Sequence, residues 1–361
     1  MTLFNKNEVN TGRQWSFDAA KTVAILFMVL VHTFIYIYGE ENMDHGFQYR
    51  LNNIYGGMLA APVFMFCMGT GVAYSRHTDA RVMLGRGVKL LVVGYLLDGI
   101  RCLPQLLLWL GGYGEEHYEA FFEELNLFDI LQFAGVSFML FALLRWIKAS
   151  ANVVMLVGLA LSVFGSFYRE LDMGSTWLNL LCYPFIGIHA GVIWTSFPLA
   201  NWFIFVAAGY WFGKLVRRCN DLDRLYAVLI PWSGLFFAAG ATYMVTHAYG
   251  MLTDANDDFF YYLTPLDSLV CILGALTIAG IGHFLMPHEP QVVQNEVKQI
   301  STDVTRIYLI HWIFVSYLVG GLLKGALDLT ISQPILLIVS LVILFISAWL
   351  ARRKPFSRIK I

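Results

Sequence analysis

The chain has 361 residues, 58% of them hydrophobic and 14% charged, with mean hydropathy +0.62 and a formal net charge of −1. Soluble domains carry about 25% charged residues, so this composition excludes a protein that meets water on every side, and no nucleic-acid partner is expected. A length fit for two or three soluble domains is overruled by apolar runs long enough to cross ~30 Å of hydrocarbon at 1.5 Å per residue.

In lipid every backbone polar group needs an internal partner, which leaves helices or a closed barrel. The ~10-residue alternating strands of a barrel are missing. The expected fold is therefore all-α and polytopic: one transmembrane domain over 1–361 with about ten helices. The spans run roughly 17–39, 54–75, 85–111, 127–146, 152–168, 198–216, 225–247, 263–286, 303–323 and 332–351. The first is too long for a signal-peptide core and no small-residue cleavage site follows it, so it reads as a retained span. Between the fifth and sixth, the apolar and aromatic stretch from Cys182 to Thr195 leaves room for a re-entrant or interfacial segment. No internal repeat is visible.

Orientation follows from lysine and arginine. With the N-terminus in the cytoplasm, twenty of them fall on inner segments and adjoining span ends. Arg50, Arg169 and Lys324 fall on outer loops, and Arg101 lies within a span. Both termini are thus expected in the cytoplasm. The outer loops are acidic: Glu115, Glu116, Glu119, Glu123 and Glu124 in one, and Asp254, Asp257 and Asp258 followed by Phe259 to Tyr262 in another. A solvated face is the plainer reading of these carboxylates, and contact with sugar hydroxyls the other. The five cysteines form no CxxC and no metal-ligand spacing, so no metal is expected.

A charge at the bilayer centre costs roughly 2.5–3.5 kcal/mol even on mild scales, so intramembrane ionisable groups are functional candidates. Asp18 and Lys21 are helix-face neighbours near the inner end of the first span, where pairing and snorkelling alone would account for them. His32 lies ~21 Å further along that helix, where an imidazole could act as a general base. Asp98 and Arg101 read as a structural ion pair. Asp129 opens the fourth span beside Gln132; it could orient His32 as the third member of a triad or simply cap its helix. Asp267 and His283 mark the two ends of the eighth span. In the ninth, Arg306 and His311 fall within Arg306-Ile-Tyr-Leu-Ile-His-Trp312. Gly69-Thr-Gly-Val-Ala-Tyr-Ser-Arg76 lacks a third glycine at fingerprint spacing and ends a span, so close helix packing explains it better than a dinucleotide site. Arg76, Arg81, Arg86 and Lys89 follow. This basic cluster suits either anionic lipid or the phosphates of a cytoplasmic co-substrate.

The run from Phe17 to His32 resembles the first-helix motif of the acyltransferase-3 family, in which an arginine follows the aspartate by three positions and precedes the histidine by eleven. Lys21 stands where the arginine belongs, and the ten-residue gap to His32 is kept. Lysine cannot offer the bidentate fork of arginine. The Phe64 to Gly69 segment, the Arg-rich turn and the Asp129 to Gly135 helix start are also similar to the catalytic domain of heparan-α-glucosaminide N-acetyltransferase and its bacterial relatives. Ile307 to Trp312 looks like the Tyr-Leu-Ile-His segment near the end of acyltransferase-3 proteins. The resemblance is good over 13–146, partial over 303–320, and limited to hydropathy between them. It implies transfer of an acyl group, commonly acetyl, from cytoplasmic acyl-CoA to a hydroxyl or amine of an extracytoplasmic sugar or glycolipid, by an enzyme of the bacterial inner membrane.

On that reading His32 is the base or acyl carrier, Asp129 its orienting partner, and His311 a second polar group in the pocket. Lys21, Arg76, Arg81 and Arg86 would be donor-side contacts, acyl-CoA (acetyl-CoA above all) the co-substrate, and a homodimer is an open option. The rival class is a secondary transporter or flippase, which would show paired broken helices near the midplane and a repeat between halves. A non-catalytic scaffold would leave the intramembrane histidines as an unexplained cost.

Overall fold

The computed structural model describes residues 2–38, 52–77, 79–169, 171–247, 249–252, 261–329 and 331–358. Arg50 and the acidic loop positions Asp254, Asp257 and Asp258 lie outside them. The described backbone forms thirteen α-helices. The first six are α1 (Trp15–Tyr38), α2 (Ala61–Tyr74), α3 (Ala80–Arg101), α4 (Leu103–Leu110), α5 (Glu116–Leu125) and α6 (Ile130–Trp146). The chain continues through α7 (Ala151–Gly165), α8 (Thr176–Cys182), α9 (Leu199–Arg217), α10 (Leu222–His247), α11 (Pro265–Leu285), α12 (Gln291–Ile313) and α13 (Gln333–Ala351). Wider π-helical turns lead into α2 (Asn53–Met58) and out of α12 (Phe314–Ala326).

Seven helical spans are long and apolar enough to cross a membrane, and the α3–α4 pair, bent by 44°, makes an eighth if it counts as one span. The remaining two apolar segments form shorter helices, α6 and α7, of 17 and 15 residues. Each of the ten apolar segments has therefore folded as helix, and the chain is an integral membrane protein.

Local chemistry sets several boundaries. Asp129 caps α6, its carboxylate accepting from the Ile130 amide at 2.7 Å. Thr264 and Asp267 form a reciprocal capping box at α11, with Pro265 at its first position. That accounts for the buried Asp267. In the region from Arg169 to Leu199, the seven-residue α8 exposes Trp177 and Leu181. It precedes a two-residue-per-strand hairpin, β1 (His189–Ala190) and β2 (Ile193–Trp194), paired antiparallel. Gly191, at φ +56°, provides the positive φ that its tight turn needs.

Helix α9 is the most enclosed, with every residue from Leu199 to Tyr210 buried. It packs on α2 so closely that a Cβ at Gly69 would overlap the Val206 carbonyl, and one at Gly209 the Phe66 carbonyl. Small residues thus let the backbones meet where lipid supplies no hydrophobic push between helices. Gly87 of α3 and Gly135 of α6 do the same for that pair.

Both chain ends lie at one end of the bundle. The Asn5 and Val9 amides donate to the Arg218 and Arg217 carbonyls at 2.7 Å, just past α9. Arg13 donates to the Lys298 carbonyl at 2.8 Å, and Arg352 pairs with Glu296 at 2.7 Å. Arg217 reaches the Ala73 carbonyl, which brings the start of α3 to this same end. At the far end Tyr38 donates to the Ile331 carbonyl at 2.6 Å, Tyr317 to Ile100 at 2.5 Å, and the Phe128 amide to Trp194 at 3.1 Å.

Candidate active site

Near the far end, α1 and α12 bring His32 and His311 together. His32 Nδ1 and His311 Nε2 are 3.0 Å apart, with the rings nearly parallel. The carbonyls of Ile307 and Tyr308, a turn back on α12, lie beside the His311 ring, off the line of an ideal hydrogen bond to its Nδ1. His311 is fully enclosed. The sequence reading places it in the pocket; it contacts His32 from behind and is not among the residues lining the cavity that His32 borders.

His32 borders a cavity of about 230 Å³. The same lining carries Tyr36, Arg101, Glu124, Asp129, Trp194, Ser196, Tyr261, Tyr308 and Trp312. Asp129 is thus in the same cavity as His32, but the partners of its carboxylate are the Ile130 amide, the Tyr308 hydroxyl at 3.1 Å and the Arg101 guanidinium at 3.5 Å. The imidazole's partner is His311. Asp129 caps its helix, and the ring nitrogen of His32 that is hydrogen-bonded meets His311.

Arg101 also departs from a simple pair. Asp98 is 3.4 Å away and is itself held by Gln132, whereas Glu124 is at 2.5 Å. Glu124 is the exception in its acidic loop. Glu115, Glu116, Glu119 and Glu123 are exposed, as a solvated face should be, while Glu124 turns inward. Burial pushes its carboxyl above the usual carboxylate range, and the Arg101 guanidinium opposes that shift.

Toward the terminus-bearing end lies a second cavity of about 210 Å³, lined by Lys21, Phe64, Cys67, Met68, Arg86, Leu131, Ala134 and Thr305 among others. Of the four cations expected on the donor side, Lys21 and Arg86 meet here; Arg76 and Arg81 are exposed outside it. Asp18 does not take Lys21, because its carboxylate is occupied by Arg13 and by Ser301 Oγ at 2.6 Å. At the same end His283 pairs with Asp223 at 2.8 Å and Arg306 with Asp303 at 2.9 Å, away from either cavity.

Helices α1, α2, α3, α6 and α12 contribute to the lining of both cavities, and the first is walled also by Glu124 of α5, Trp194 of β2, Ser196, Phe197 and Tyr261. Ile130 faces one and Leu131 the other; likewise Ala61 and Phe64, and Tyr308 and Thr305. Along α2 and α12 the two linings come within three residues, ~4.5 Å of helix, whereas along α1 and α3 they lie seven and eleven residues apart. Among the described residues no group of three His, Cys, Asp or Glu side chains is placed to hold a metal ion.

A family model described as an acyltransferase domain, acyltransferase-3, matches residues 14–353. The chain belongs to the acyltransferase-3 family. The match takes in all ten apolar helices and both cavities, including the middle of the chain, where only hydropathy had been readable. The protein is accordingly a membrane acyltransferase. A comparison with curated proteins finds no match.

The residues that sequence reasoning missed are Tyr36, Glu124, Trp194, Tyr308 and Trp312, and Arg101 was assigned too small a part. Tyr308 and Trp312 had a usable signal. They stand three before and one after His311, where a helix places neighbours on adjoining faces. Glu124 had only its place in the acidic loop, which did not set it apart from its neighbours, and Trp194 reaches the cavity through tertiary packing.

Proposed function

We propose that the protein transfers an acyl group, acetyl in the simplest case, from acyl-CoA at the terminus-bearing end to a hydroxyl or amine of a sugar or glycolipid at the far end. The single observation that carries this reading is that two cavities share the same five lining helices. One bears cations and the other bears the histidine and carboxylates. The bundle is read as ten spans with both termini in the cytoplasm of a bacterial inner membrane. Arg76, Arg81 and Lys89 at the bundle end then face the phosphates of the donor, since charge-assisted contacts to phosphate favour such side chains. Lys21 and Arg86 line the way inward.

His32 is the base or acyl carrier. A proton on His311 Nδ1 leaves Nε2 as acceptor for the His32 Nδ1 proton. The lone pair of His32 Nε2 is then free to take the acceptor's proton. Attack on the thioester carbonyl expels the CoA thiolate, which regains a proton. Direct attack by the acceptor and passage through an acyl-imidazole both use this atom. A dry cavity of roughly 150 Å³ takes benzene, so about 230 Å³ suits a single sugar ring presenting one nucleophile. The aromatic rings around it offer stacking faces.

The transporter reading expects matched pairs of broken helices. Among the described residues one apolar pair is sharply bent, α3 with α4, and family membership points to transfer. Mass spectrometry of surface glycans tests the proposal. Cells with the wild-type protein should carry an acyl group that is missing from cells with His32→Ala at equal membrane abundance. An unchanged glycan profile in that variant would end the assignment.

A further inference from the structure

Arg101 reads from sequence as half of an ion pair, but its surroundings are more elaborate than neutralisation requires. The guanidinium carbon lies 3.6 Å from the centre of the Trp312 ring. The His32 ring lies 4.1 Å from the same indole, inclined by 27°. Two groups that close to one ring centre cannot share a face without overlapping, so Trp312 is sandwiched between the guanidinium and the imidazole. Three carboxylates from three elements fix the guanidinium: Glu124 of α5 at 2.5 Å, Asp98 of α3 at 3.4 Å and Asp129 at the cap of α6 at 3.5 Å. One would balance the charge. Three define the plane in which a rigid fork must lie.

We propose that Arg101 is a positioning residue for acyl transfer: it fixes Trp312, and through the indole face it fixes the plane of the His32 imidazole against the hydrogen bond from His311. This rests on His32 being the reacting base. The imidazole is then held from two sides, by a ring stack and by a hydrogen bond. The His32 residue borders the same cavity as Arg101. Cation–π attraction is strongest where water is excluded, and Arg101 and Trp312 are both buried. Lysine at this position would keep a charge for the carboxylates but could not present a flat face to the indole.

The test uses the full-length protein in lipid nanodiscs, with acetyl-CoA as donor and methyl glucoside and glucosamine as hydroxyl and amine probes. Two readouts are taken: CoA thiol release, and the rate at which diethyl pyrocarbonate modifies His32, followed by peptide mass spectrometry. An ångström of misplacement costs about 100-fold in rate. Arg101→Lys should therefore lower kcat by about that factor, with KM for acetyl-CoA within about twofold, and should change the His32 modification rate severalfold. Trp312→Phe, which keeps a ring between the two groups, should stay within a few-fold of wild type. Trp312→Ala, which leaves every ion pair in place, should behave like Arg101→Lys, and it supplies the answer if that variant fails to fold. The double variant should be no worse than either single one, because both break one linkage. Wild-type turnover and His32 modification in Arg101→Lys or Trp312→Ala, with His32→Ala inactive, would overturn the proposal. A loss confined to KM for the probe would overturn it too, by making Arg101 a binding group. Modification of His32 is read whether or not a probe is accepted, and normal thiol release by His32→Ala would instead sink the reading of His32 as base.

Discussion

A hydrogen bond between two imidazoles carries one proton for two ring nitrogens, and the 3.0 Å contact between His32 and His311 makes the tautomer of one depend on the other. On the proposed mechanism, removing the rear ring leaves the front one free to rotate and to present either nitrogen. General-base catalysis contributes about 10²–10⁴-fold. His311→Ala should forfeit the lower part of that range in kcat, with little change in KM for acetyl-CoA, in a steady-state thiol-release assay. Lys21→Ala should do the reverse, raising KM for acetyl-CoA severalfold while kcat holds, because Lys21 borders only the cavity on the donor side. A Lys21→Ala protein with normal donor KM would remove that cavity from the donor path. His32 and Lys21 were both legible as residues, since a polar group in an apolar helix stands out against its neighbours. Their partners were not. His311 lies 279 positions from His32, and no local pattern specifies which of several buried polar groups will meet.

At the scale of elements, hydropathy foretold all ten apolar helices, because in lipid an apolar run has no other way to satisfy its backbone. Which helices touch was written only in the glycines. Gly69 and Gly209 sit where a Cβ would overlap a facing carbonyl, while Gly71, two positions on, has open space around its hydrogen. Gly69→Leu should therefore abolish a monodisperse peak in detergent size-exclusion chromatography, and Gly71→Ala should leave it intact. If both are tolerated, the close α2–α9 approach is wrong. The site's far wall was harder to foresee. Glu124 lies in a run of five acidic residues and differs from Glu123 only by the 100° that one helical step adds, yet that step turns it from solvent to Arg101. The hairpin that delivers Trp194 is two residues per strand, too short for any alternation to show.

The molecule as a whole is polar along its axis: one end is basic and carries residues 2–13 and 352–358, and the opposite end carries the cavity with Glu124, Asp129 and the aromatic rings. Fusing a reporter active only outside the cytoplasm to Arg358 should give no signal, and the same reporter placed after Glu116 should give a strong one. The reverse pattern would invert the donor and acceptor sides. The central claim is that an acyl group enters from one face and leaves on the other by way of His32. Sealed vesicles with the terminus-bearing face outward test it most directly, with isotopically labelled acetyl-CoA outside and glucosamine and methyl glucoside trapped within. Labelled sugar should appear inside with wild-type protein and not with His32→Ala. Absence of labelled sugar inside with wild-type protein, or equal labelling with the variant, would show that transfer does not cross by way of His32.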